Sequence, residues 1–145
     1  MIVPDVNLLV YAYNSGCSFH PQARQWFETV LNGDEEVGLP WVVLMGFVRL
    51  LSSPRVVPVP ADPRRLLGIV QEWLSLPVCR LIGPGRNHPA LMAQLFEVSG
   101  ANHRLLTDIH IAALTIEHKA TLYSNDVDFY RFTKVPHFKL RNPLG

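Results

Sequence analysis

The chain is predicted to fold as an α/β protein: a central, mainly parallel β-sheet flanked by α-helices in three layers. Three observations carry this expectation. Short apolar runs of strand length alternate with longer stretches of helical periodicity, the order that builds parallel sheets covered by helices. Residues that start or stop helices, namely Pro21, Asp62-Pro63, His88-Pro89 and Gly100, fall where the period changes. With 145 residues, 48% hydrophobic and 17% charged, the sequence is apolar enough to fold and the size of one compact domain, residues 1–145.

Met1 to Val3 is a short apolar strand that meets Asp5, and Val6 to Tyr11 continues as a buried helix with Asp5 near its N-terminus. Pro4 cannot donate to a ladder, so it belongs at the strand's end. After a loop through Asn14-Ser15-Gly16, Pro21 sits in the first turn of a helix bearing Trp26, Phe27, Val30 and Leu31, which Asn32-Gly33 ends. Glu36 to Leu39 reads as a strand. Trp41 to Leu51 is a nearly all-apolar, buried helix stopped by Ser52-Ser53-Pro54. Val56 to Pro60 looks like a stiff surface connection. Asp62 is a good N-cap for a helix through Leu66, Leu67, Val70 and Leu74. Cys79 to Ile82 is a strand, and His88-Pro89 opens a helix with Leu91, Leu95 and Phe96 on one face. A further helix spans about Leu105 to His118. Thr121 to Ser124 is a strand ending at Asn125-Asp126, and His137 to Leu140 is the last strand. Trp26, Trp41 and Trp73 fall at core positions of their helices.

Composition excludes several classes of protein. The longest apolar stretch, Leu39 to Val48, is interrupted by Pro40 and Gly46 and is about half the ~20 residues that a bilayer requires. No basic leader precedes Asp5, so a cytoplasmic location is expected. Cys17 and Cys79 lack the spacing of a disulfide framework or zinc site and read as free thiols. None of the six histidines shows His-x-x-x-His spacing, and His110, two residues beyond Asp108, projects to a different helical face. The net charge is +1, with ten arginines against three lysines. That bias suits phosphate contacts, and a biased genome composition would produce it equally well.

The twelve acidic residues include three groups carried on otherwise apolar elements: Asp5, Asp108, and Asp126 with Asp128. Strands of a parallel sheet present ligands at their carboxyl ends, where Asp5 and Asp126 fall. Buried carboxylates are costly unless paired or bound to metal, so several that converge imply a cation. Oxygen-only ligands suit Mg2+ or Mn2+. Asp62 is read as a cap, whereas Asp128 fits either a cap of the turn Phe129 to Phe132 or a water-mediated metal contact.

Three motifs resemble those of the PIN domain family, most closely the VapC-type toxin ribonucleases of bacterial type II toxin–antitoxin systems. They are Asp5-Val6-Asn7, Leu105-Leu106-Thr107-Asp108 leading into Ala112-Ala113, and Ser124-Asn125-Asp126-Val127-Asp128-Phe129. Arg141-Asn142-Pro143-Leu144 is similar to the family's tail, so the resemblance spans essentially the whole chain. It implies a PIN-like fold and a Mg2+- or Mn2+-dependent endoribonuclease with Asp5, Asp108 and Asp126 as metal ligands and Asp128 as a fourth catalytic residue. It further implies an RNA substrate, a cognate VapB-type antitoxin and a homodimer. Many family members carry a glutamate in the third helix where this chain has Gly46, followed by Phe47-Val48-Arg49. One well-held ion is therefore expected, with a second only where RNA phosphate supplies ligands.

Under this reading the ion activates a water and stabilises charge on the scissile phosphate. Asn7, Thr107 and Ser124 stand beside the acidic residues as supports, although each could equally cap local backbone. Arg49 is a candidate for substrate phosphate, an acidic neighbour or the antitoxin. Two alternatives remain open: a catalytically weak PIN-like RNA- or protein-binding module, and a phosphohydrolase with Asp5 as nucleophile. The latter commonly shows Asp-x-Asp where this chain has Asp-x-Asn.

Overall fold

The computed structural model describes residues 1–145. Five parallel strands form one sheet in the order β3-β2-β1-β4-β5, with β1 at Ile2–Pro4, β2 at Val37–Pro40, β3 at Cys79–Ile82, β4 at Thr121–Tyr123 and β5 at Leu140–Arg141. Six helices cover it: α1 (Val6–Tyr13), α2 (His20–Leu31), α3 (Trp41–Leu51), α4 (Pro63–Leu74), α5 (His88–Ser99) and α6 (Leu106–Glu117). The predicted three-layer α/β/α architecture is the one observed. No helix is long and apolar enough to cross a membrane.

From β1 the chain builds outward through β2 and β3, then returns to place β4 on the opposite side of β1. Strand order thus reverses at β1, and a crevice opens beyond the carboxyl ends of β1 and β4. Pro4 closes β1, where its missing N–H costs nothing, and the next amide, Asp5 N–H, donates to the Tyr123 carbonyl at 2.9 Å. The pairing Pro4 with Tyr123 brings the two strand ends level.

Helix starts follow the predicted chemistry. The Asp62 side chain caps α4 by accepting from Arg64 N–H at 2.8 Å, with Pro63 in the first turn. Gly100 ends α5 at φ 66°, a left-handed conformation that glycine adopts without a Cβ penalty. The apolar core runs through Val3, Leu39 and Leu122 of the sheet and Phe47, Trp73, Leu95 and Ile109 of the helices.

Three boundaries or placements differ from the sequence reading. The last strand begins at Leu140 instead of His137, because His137 sits at φ 71° and a strand cannot run through a left-handed residue. A 3-10 turn at His103–Leu105 precedes α6 and delays its start to Leu106. Trp41, expected in the core, is 49% exposed, since the buried face of α3 is formed by Val43, Leu44, Phe47 and Leu51.

Candidate active site

Asp5 leaves the end of β1 and turns at once into α1, whose first amide it caps: Asp5 Oδ1 accepts from Val6 N–H at 2.7 Å. Its second oxygen, Oδ2, accepts from the Ser124 hydroxyl at 2.8 Å. Ser124 lies one residue past β4 and is buried, and its Oγ also accepts from Asp126 N–H at 2.9 Å. One hydroxyl therefore ties together the ends of the two central strands and the loop that carries Asp126. Asp126 then caps a 3-10 turn, Val127–Phe132, through Asp128 N–H at 2.9 Å. The cap is Asp126, which frees the Asp128 side chain for other work. Asp108 is brought in by α6, in the first turn of that helix.

Single carboxylate oxygens of Asp108, Asp126 and Asp128 all lie within 4.8 Å of one another. Asp5, 4% exposed, is not one of these three, but its charge acts on Asp108 and the Asp126 charge acts on it. Like charges at this spacing repel. Desolvation, reinforced by Asp5, Asp126 and Asp128, pushes the Asp108 carboxyl up to about 6. Burial also raises Asp5, against the opposing pull of its bonds to Ser124 and Val6. A hard divalent cation would relieve both costs, and the donor set is all carboxylate oxygen, as Mg2+ and Mn2+ require.

The other residues singled out in sequence divide by place. Asn7 is half-buried on α1, with its side chain in no hydrogen bond to the carboxylates. Thr107 is exposed. Arg49 lies elsewhere, in an apolar hollow between α3 and α4 with Trp41, Met45 and Leu67. Gly46 is buried against α1, where a Cβ would stand 2.5 Å from Val6 Cγ2. His110 turns away from the carboxylates to meet His88 Nε2 at 2.7 Å.

A polar brace that no local pattern announces holds the Asp126 loop. The Asn142 amide donates to Asn125 Oδ1 at 2.9 Å, so the C-terminal tail grips the loop that carries Asp126. Tyr11 joins it from α1. Burial holds its phenol above the ordinary range against a hydrogen bond with Asn125, and Asp5 and Asp126 push the same way. The tail motif was visible in sequence, but its partner, seventeen residues upstream, was not.

Comparison with known proteins agrees with this geometry. A family model for the PIN domain matches residues 2–135. Ribonuclease VapC33 of Mycobacterium tuberculosis is 38% identical over 144 residues, covering 99% of each chain. Ribonuclease VapC37 of the same organism is 35% identical over 135 residues, covering 93% of this chain and 94% of the relative. Among solved structures, VapBC2 from Rickettsia felis bound to a DNA fragment from its promoter aligns with a TM-score of 0.68 at 20% identity, over 98% of both chains. VapC20 of Mycobacterium tuberculosis, a toxin that cleaves the sarcin-ricin loop, aligns with a TM-score of 0.62 at 20% identity, over 93% of this chain and 98% of the other. With strand order, carboxylate placement and family match in agreement, the chain belongs to the PIN domain family.

Proposed function

We propose that this chain, acting as one PIN domain over residues 1–145, is a Mg2+- or Mn2+-dependent endoribonuclease and the toxin of a VapBC-type toxin–antitoxin pair in the cytoplasm. The observation that carries the reading is the carboxylate trio of Asp108, Asp126 and Asp128, with the Asp5 charge acting on Asp108, at the point where strand order reverses. The kinship with VapC ribonucleases supports RNA as the substrate. Solved VapBC complexes of similar fold support a VapB-type partner.

Asp5, Asp108 and Asp126 would hold the ion, with Asp128 beside it. When bound, such an ion lowers the pKa of a water and offsets charge on the scissile phosphate. Ser124 fixes the Asp5 carboxylate through Oδ2, and the Asp5 bond to Val6 N–H fixes its other oxygen. Asp128 is half-exposed and contacts Arg131 only through Oδ1, at 3.7 Å, so its Oδ2 can orient the attacking water and accept its proton. Before cation binding the pocket repels the polyanionic substrate, which couples RNA binding to metal loading.

A nucleophilic role for Asp5 fits poorly. The residue is 4% exposed and its carboxylate is held by Val6 N–H and the Ser124 hydroxyl, which bars in-line approach of a phosphorus atom but leaves a lone pair on each oxygen for a small cation. Gly46 motivates the reading as a weak binding module, but three oxygens are gathered here without a glutamate at that position. The exposed apolar hollow of Trp41, Met45 and Leu67 supports a homodimer.

Cleavage of total RNA by the purified protein with Mg2+, Mn2+ or EDTA, beside an identically purified Asp5→Asn variant, tests the proposal. Discrete fragments that need both the metal and Asp5 are expected. No cleavage by folded protein with either metal would move the assignment to the binding module.

A further inference from the structure

A cavity of about 480 Å³ opens beside the carboxylates, and its lining joins Asp108 and Asp128 to Arg104, Arg131 and Asn102. The two arginines are placed alike. Arg104 precedes Asp108 by four residues across the 3-10 turn into α6, and Arg131 follows Asp128 by three within the second 3-10 turn. Residues three or four apart share a helical face, so each guanidinium stands one turn from a carboxylate of the trio. Neither is consumed by an ion pair. Arg104 has no carboxylate within 4.0 Å, and Arg131 makes one long contact, Nε to Asp128 Oδ1 at 3.7 Å, with 53% of its side chain exposed. Leu105, between them, also lines the cavity.

We propose that Arg104 and Arg131 form a phosphate subsite that holds the backbone of single-stranded RNA beside the scissile phosphate. This rests on the nuclease reading for its location, not for its chemistry. Planar guanidinium forks match phosphate oxygens two at a time, and two of them lining one cavity with Asp108 and Asp128 supply the attraction that the carboxylates withhold. Asn102 accepts from Arg104 N–H at 3.0 Å and fixes the backbone from which that side chain extends. Other unpaired arginines, such as Arg55 and Arg65, lie away from this cavity. The two arginines are positioning residues for substrate and take no part in moving protons.

The probe is a fluorescein-labelled, mixed-sequence 2′-O-methyl oligoribonucleotide of about twelve nucleotides, intact on a gel after each titration. Anisotropy is followed in Mg2+ buffer between about 50 and about 200 mM salt. Arg104→Ala and Arg131→Ala should each raise Kd about tenfold and lower the slope of log K against log salt by about 0.7. The Arg→Lys variants should keep the slope and regain part of the affinity. Mg2+ affinity, read from metal-dependent melting of the same proteins, should stay within about threefold of the wild type, which a mere partner of the carboxylates would not do. Unchanged Kd and slope in folded alanine variants would overturn the subsite. So would a change confined to Mg2+ affinity, or a wild type that does not bind the probe. Cleavage of total RNA is scored separately: its absence, with arginine-dependent binding intact, counts against the nuclease and leaves the subsite standing.

Discussion

At the scale of single residues, the site depends on how few groups restrain many charges. Ser124 is the clearest case, because its hydroxyl donates to Asp5 and accepts from the Asp126 amide. Ser124→Ala should leave Asp5 Oδ2 buried without a donor, costing about 1–3 kcal/mol of stability and about ten- to a hundredfold in Mg2+ affinity. Urea unfolding and metal titration measure the two. Asp108 gives a pH dependence of definite sign. Its pKa is raised from 3.8 to about 6 in the folded protein, so the folded state holds the extra proton. The stability this adds to the metal-free protein is fully present below about 3.8 and is lost as pH rises through about 6. Asp108→Asn should therefore stabilise the metal-free protein by about 1 kcal/mol above pH 6, a figure discounted for partial exposure. Metal affinity of the wild type should fall as pH drops below about 6, where a proton competes for the ligand. Melting temperatures with and without Mg2+ across that range check both.

At the scale of elements, the local signals were legible and the tertiary ones were not. Pro4, Asp62-Pro63 and Gly100 mark boundaries because their effects act within a few residues, and they mark them where the structure has them. His137 shows the converse: nothing local announces its left-handed backbone, so the alternation of the sequence predicts a last strand that starts three residues before the observed one. The acidic residues could be found in sequence because charge on an apolar element is conspicuous. Ser124 as a hub, and the Asn125–Asn142 brace, depend on contacts across 119 and 17 residues that no local pattern encodes. Gly46 combines both kinds of information. It was conspicuous as a missing glutamate, yet its physical role is the close approach of α3 to α1, with Val6 in the space a Cβ would need. Gly46→Ala should cost about 1–3 kcal/mol by overpacking beside Asp5, and Val6→Ala in the same chain should restore much of the loss. Chemical denaturation of both variants reads the outcome, and an additive loss would contradict the contact.

At the scale of the whole molecule, one sheet places the gathered carboxylates and an exposed apolar hollow on separate surfaces. The carboxylates gather beyond β1 and β4, while Trp41, Met45 and Leu67 leave an apolar hollow between α3 and α4. Trp41 is 49% and Met45 60% exposed, more apolar surface than an isolated helix pair needs to show. If that face forms the proposed dimer, Trp41→Arg should weaken self-association at least about thirtyfold, with the metal site intact. Sedimentation equilibrium measures it, and an unchanged dissociation constant would assign the hollow to something else. The most direct test of the central claim is a Mg2+ titration of single-turnover RNA cleavage by wild type and Asp108→Asn, both verified as folded. The account expects saturable, metal-dependent cleavage that falls about a hundredfold or more in the variant. Cleavage that persists in EDTA, or that survives the loss of Asp108 at the wild-type rate, would contradict it.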